Sequence, residues 1–285
     1  MRKFTFFALA FMMLTSVLFS TMGCMDKKPQ TVDTLAVDSS AEDSAGEDTM
    51  SAIIAESPMS KSADELFDDF FFNFAANRKL QFKRVKFPLP VMKNGERTDE
   101  IKKEQWKMDY FFMKQGYFTL VFDNLKQMNV VKDTSVNQVT VEKIFFKNKT
   151  VKQYVFNRIN GEFMLTSIVY QPMSENVNSS FLLFYHRFAA DSAFQVRSMN
   201  KTVEFTAPDP DDDFSTITGS IAPEQWSAFK PPIIPKGNIY NIVYGQKYKR
   251  GNQKVFVVRG IATDLENVMV FRRLRSGWKL MKFNS

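Results

Sequence analysis

Phe67-Asp-Asp-Phe-Phe-Phe-Asn-Phe-Ala-Ala-Asn77 returns 114 residues later as Phe181-Leu-Leu-Phe-Tyr-His-Arg-Phe-Ala-Ala-Asp191. In both stretches aromatic residues recur every three or four positions, the spacing of one helix face. Phe67, Phe70, Phe71 and Phe74 form the first stripe, and Phe181, Phe184, Tyr185 and Phe188 the second. Two further pairs keep the same order. Val155-Phe-Asn-Arg-Ile159 recurs as Val270-Phe-Arg-Arg-Leu274, 115 residues on, and Glu104-Gln-Trp106 as Glu224-Gln-Trp226, 120 residues on. Ordered recurrence predicts one folding unit present twice, each copy roughly 110 residues long and large enough for its own core.

The rest of each unit reads as strands. Val151 to Ile159 and Phe163 to Tyr170 flank Asn160-Gly161-Glu162, and Val268 to Leu274 and Trp278 to Phe283 flank Arg275-Ser276-Gly277. A short Gly-bearing gap between β-rich runs predicts a hairpin. Gln138 to Phe146, Lys254 to Ile261, Phe118 to Phe122 and Asn238 to Tyr244 are further strand candidates. Ser62-Ala-Asp-Glu65 has the form of a capping box opening the first helix. The expected class is α+β: in each unit N-terminal helices pack on a curved antiparallel sheet, with a cystatin-like helix on a sheet as the rival arrangement.

Thirty Phe and sixteen Met among 285 residues point to an aromatic-rich core. The formal charge of +7 is unevenly spread: Thr31 to Asp69 holds 11 acidic residues and one basic, whereas Phe70 to Ser285 holds 33 basic and 19 acidic. A basic body favours anionic partners such as lipid head groups or acidic glycans.

The single cysteine, Cys24, follows a positive Met1-Arg2-Lys3, an apolar run from Phe4 to Phe19, and Ser20-Thr-Met-Gly23. This is the pattern of a secretory signal, too short for an ordinary membrane span. The cysteine after Gly23 resembles the lipobox of bacterial lipoproteins, with Thr21 where the commonest box has Leu. That resemblance implies a lipid-modified Cys24 as the mature N-terminus and attachment to a membrane. Residues 24–61 are rich in Ser, Asp, Glu and Ala, a composition that predicts a disordered acidic tether. The expected organisation is 1–23 signal peptide, 24–61 tether, 62–172 first unit and 173–285 second unit. Such a compartment argues against nucleic acid as a partner.

Helix first, a middle loop carrying Trp, and long strands closing on Phe271, Arg273, Gly277, Trp278, Lys279 and Leu280 resemble the nuclear-transport-factor-two-like superfamily, a cone-shaped α+β fold. The first unit keeps Phe156, Arg158, Gly161 and Leu165, with Phe163 in place of Trp278. The whole chain is similar to a family of envelope lipoproteins from Bacteroidetes carrying two such units. The resemblance implies a pocket between sheet and helices, and a superfamily containing isomerases, dehydratases and hydrolases beside non-catalytic binding modules.

Arg158 and Arg273 are candidate anion ligands, since a guanidinium binds carboxylate or phosphate through two parallel hydrogen bonds. Trp106 and Trp226 are candidates for stacking on a ligand, or else core anchors. His186 is the only histidine, so no multi-histidine metal site is available. Pro208-Asp-Pro-Asp-Asp-Asp-Phe214 is the densest acidic cluster but lacks the Gly and Glu of an EF-hand loop. Asp109 and Glu142 are carboxylates with no visible partner. No metal or cofactor is implied. The reading that emerges is a lipid-anchored envelope protein, on the outer membrane, that binds an anionic or amphipathic ligand or an envelope partner without catalysis. The alternative is a cone-fold enzyme with one active pocket. The expected state is a monomer whose two units form an internal pseudo-dimer.

Overall fold

The computed structural model describes residues 64, 66–209, 211–248 and 251–285. Cys24, the signal peptide, the tether, and Ser62 and Glu65 of the proposed capping box lie outside them. The described residues fall in one compact unit, Gly46–Ser285.

In the first half, α1 (Phe67–Ala76) and α2 (Arg78–Arg84) precede β1 (Leu89–Lys93), β2 (Glu96–Ile101), β3 (Tyr117–Phe122), β4 (Gln138–Phe145), β5 (Thr150–Ile159) and β6 (Glu162–Pro172). The second half repeats this order: α3 (Ser179–Ala190), α4 (Ser192–Arg197), β7 (Met199–Asp209), β8 (Asp212–Ile221), a short α5 (Trp226–Phe229), then β9 (Asn238–Val243), β10 (Gln253–Gly260), β11 (Glu266–Leu274) and β12 (Gly277–Asn284). The structure is mixed α+β, as the sequence pattern predicts. Helix α1 starts later than a cap at Ser62 would place it. Leu66 is its N-cap, extended at φ −107°, and no side chain caps it.

All twelve strands join one sheet in the order β2-β1-β6-β5-β4-β9-β3-β10-β11-β12-β7-β8. The expectation of antiparallel sheets needs correction. Three pairs are parallel, β1 with β6, β7 with β12, and β3 with β9. The centre of the sheet is exchanged between halves: β3 of the first half pairs with β10 of the second, and β9 of the second pairs with β4 of the first. The halves therefore meet edge to edge through strands. Lys254 Nζ on β10 reinforces the seam at 2.5 Å from Asp123 Oδ1, just past β3, with both side chains nearly buried.

Two cores lie on opposite faces of this sheet. Successive strand residues point to opposite faces, and on β10 Val255 and Val257 join the core of α1 while Phe256 and Val258 join the core of α3. Central strands β3, β9 and β10 are consequently buried along most of their length on both faces. Each helix stripe faces its core as its spacing predicts, Phe184 half-buried and the other seven rings buried. Phe74 meets Phe156 edge to face at 5.3 Å and 88°, and Phe188 meets Phe271 at 5.3 Å and 86°. Burying each Phe contributes about 1.5–3 kcal/mol, and each edge-to-face pair about 0.5–1.5 kcal/mol more.

The closing hairpins form where predicted. Asn160 and Gly161 turn the first at φ 52° and 83°, the left-handed pair of a type I′ turn. Arg275 and Ser276 turn the second. Two further hairpins, β1–β2 at Asn94-Gly95 and β7–β8 at the acidic cluster, are additional to the predicted strands. No helix among the described residues is long and apolar enough to cross a membrane.

Candidate functional site

The tryptophans of the repeated Glu-Gln-Trp motif are core anchors. Trp106 is 7% and Trp226 2% exposed. Trp106 Nε1 donates to Gln81 Oε1 at 3.3 Å, and Trp226 Nε1 to Gln195 Oε1 at 2.9 Å. Each glutamine donates in turn to a helix-end carbonyl, Gln81 to Phe74 and Gln195 to Phe188. Both indole N–H groups are satisfied inside the protein, and neither ring is presented for stacking on a ligand.

Arg158 and Arg273 occupy matching positions but have different surroundings. Each backbone amide donates to an asparagine carbonyl, Arg158 to Asn137 at 2.7 Å and Arg273 to Asn252 at 2.6 Å. Each side chain sits across the hairpin from an aromatic residue, Phe163 or Trp278. The Arg158 guanidinium stacks on Phe163 at 4.2 Å and donates to the carbonyls of Asp64, Thr134, Val136 and Gly161. It ties the start of the first half to its hairpin. Arg273 is exposed, and its side chain has no hydrogen bond or ion pair among the described residues.

The mouth of the first half is closed by charge. Arg84, 2% exposed, donates to Asp64 Oδ2 at 2.7 Å and pairs with Glu162 at 3.0 Å. Asp64 Oδ2 also accepts from the Phe163 amide at 2.7 Å. Asn178, Ser198 and Gly277 stand in the corresponding places of the second half, fixed by the matching bridges Val85 to Leu165 and Met199 to Leu280. None of the three carries charge, so that plug is absent.

A cavity of about 580 Å³ lies there, lined by Ser174 to Phe181, Tyr248, Gly251, Asn252, Lys254, Arg273 and Trp278. The first turn of α3 forms one wall. Asn178 is its N-cap but does not cap with its side chain. The amides of Ser180 and Phe181 have no acceptor among the described residues, and they sit at the positive end of a twelve-residue helix. Asn178 is 3% exposed and its Oδ1 has no hydrogen-bond partner. Trp278 Nε1 reaches Ser180 Oγ at 3.4 Å. The cavity thus combines a free guanidinium, an indole, a serine hydroxyl and a helix N-terminus, with Glu175 as its exposed acidic member. Sequence reasoning named Arg273, but the helix start and Trp278 entered only as fold markers.

Other candidates are absorbed by the fold. His186 is exposed and stacks on Phe146 at 4.9 Å and 5°. Asp209 and Asp212 accept from the amides of Asp211 and Phe214 and so shape the β7–β8 turn. Asp109 accepts from the Tyr154 hydroxyl at 2.5 Å and the Phe111 amide at 2.8 Å. With this carboxylate beside it and burial around it, the Tyr154 hydroxyl is held far above its ordinary pKa, burial being the larger cause.

Helices packed over a strongly mixed sheet, with long hairpins closing each half, define a protein of the NTF2-like class. A crystal structure of an NTF2-like protein from Bacteroides fragilis NCTC 9343 matches with a TM-score of 0.72 and 44% sequence identity, covering 80% of this chain and 98% of that one. The chain belongs to the family described as a domain of unknown function, DUF4348, which matches residues 46–285. The comparison with curated proteins gives no match.

Proposed function

We propose that this protein is a non-catalytic binding module for a small anionic ligand, held on the cell envelope by lipid on Cys24. One observation carries the binding reading: the Arg273 side chain, beside Trp278 over the start of α3, has no partner among the described residues, whereas Arg158 in the matching place is consumed by backbone carbonyls. We also read the chain as two copies of one unit, fused by exchanging β3 and β9. The matched Gln–Trp pairs and the shared order of elements support this. One copy kept its mouth shut and the other opened. Membrane attachment rests on the signal-like start and Cys24.

Calorimetric titration of the full chain with butyrate, inorganic phosphate and sulfate tests the ligand class. Binding by at least one, lost in Arg273→Ala and kept in Arg158→Lys, is the expected pattern. Binding indifferent to Arg273 would remove the reading. Mass spectrometry of the mature protein tests the anchor: an unmodified Cys24, or cleavage elsewhere, would remove it.

A further inference from the structure

Beside the Arg273 cavity lies a second, of about 270 Å³, and the two share Asn176, Val177, Asn178 and Tyr248. The second has the opposite chemistry. Glu142 on β4 lines it and is 4% exposed. Its carboxylate accepts from Gln153 Nε2 at 3.0 Å, Asn176 Nδ2 at 2.8 Å and Asn241 Nδ2 at 2.9 Å. No lysine or arginine among the described residues forms an ion pair with it. A carboxylate only accepts, so it fixes each amide with NH2 inward and oxygen outward. Asn241 Oδ1 is left buried without a donor, as is Asn178 Oδ1 on the shared wall.

Buried acceptors without donors, next to a buried anion without a cation, are each costly in isolation. One kind of group would answer the two of these that line the cavity, the Glu142 carboxylate and Asn178 Oδ1. A primary ammonium carries a positive charge and three donors and accepts nothing. Among the described residues the arrangement occurs once. Glu142 faces Asn241 across β4 and β9, while the corresponding pair across β10 and β3 is the apolar Val257 and Leu120.

We propose that the Glu142 cavity is an ammonium subsite. Because it shares a wall with the Arg273 cavity, the ligand is a small zwitterion, its ammonium at Glu142 and its anionic group at Arg273. The ammonium site stands on the Glu142 geometry; the zwitterion also rests on the anion-binding reading above.

The test titrates n-butylamine, butyrate, calcium chloride and unbranched ω-amino acids of increasing length into the full chain and its variants. Butylamine should bind wild type and Arg273→Ala alike, and Glu142→Gln should weaken it by about tenfold to a hundredfold. Asn178→Ala, which keeps the carboxylate, should weaken it less. At least one amino acid should bind more tightly than butylamine or butyrate, and each variant should remove one arm. Wild type that ignores amines, or amine binding unchanged in Glu142→Gln, overturns the ammonium subsite. Calcium binding that needs Glu142 in a protein that ignores amines overturns it too, in favour of a metal. Amine binding without butyrate binding defeats the anion reading and the zwitterion but leaves the ammonium site standing. A cooperative melt of Glu142→Gln shows that any loss is local.

Discussion

Arg158 and Arg273 hold the same place in the two halves of one sheet, each facing an aromatic residue across a hairpin, yet the Arg158 side chain is bound to backbone carbonyls while the Arg273 side chain has no partner among the described residues. Truncating them should therefore have different consequences. Arg158→Ala leaves several carbonyls without a donor and should cost about 1–3 kcal/mol. Arg273→Ala should change stability by less than about 0.5 kcal/mol and abolish anion binding. Urea melts paired with calorimetry read both, and equal destabilisation by the two variants would contradict the contrast.

The first half's plug should be transferable. Asn178→Asp with Ser198→Arg places the Asp64 and Arg84 pair at the corresponding mouth. The doubly substituted protein should bind anions at least about tenfold more weakly, as the introduced pair occupies the mouth of the cavity. Unchanged anion affinity in a folded variant would show that the missing charges do not open the cavity.

The Gln–Trp pairs are fully buried, so breaking them should be expensive. Gln195→Leu leaves the Trp226 N–H and the Phe188 carbonyl without their partner. Gln81→Leu does the same to Trp106 and Phe74. Each should cost about 1–3 kcal/mol, seen as a lower urea midpoint at unchanged slope.

Strand exchange couples the halves. Melting either half would leave β9 or β3 without a hydrogen-bonded neighbour. Fluorescence of Trp106 alone and of Trp226 alone, in variants with the other tryptophans replaced by Phe, should report the same urea midpoint. Separated midpoints would mean that the exchanged strands do not bind the halves into one cooperative unit.

The helix stripes, closing hairpins and Trp anchors were legible because each is a local pattern. The Asn94-Gly95 hairpin signal was equally local, though charged β2 beside it has no alternating apolar residues to complete the pattern. The exchange was not legible. Phe118, Leu120 and Phe122 on β3 and Tyr240 and Ile242 on β9 offer the same apolar face, so either strand satisfies the pattern beside β4 or β10. Glu142 was invisible as a site for a similar reason. Its donors Gln153, Asn176 and Asn241 lie 11, 34 and 99 residues away and converge only in the folded sheet.

Glu142 should also leave its mark on the pH dependence of stability. Burial holds its carboxyl above the ordinary value of 4.5, and the three amide hydrogen bonds only partly oppose this. Above 4.5 the unfolded chain releases this proton more readily than the folded one. The folded state then binds more protons, so stability falls as pH rises through the window between 4.5 and the raised folded value, then levels off. Glu142→Gln removes that slope. Buried Asp68, also raised chiefly by burial, is common to both proteins and cancels in their difference. Urea melts across this range should show the Gln variant gaining on wild type as pH rises, and parallel curves would mean the carboxyl titrates as it does in the unfolded chain. Saturating n-butylamine should flatten the wild-type slope, because an ammonium beside the carboxylate favours its charged form.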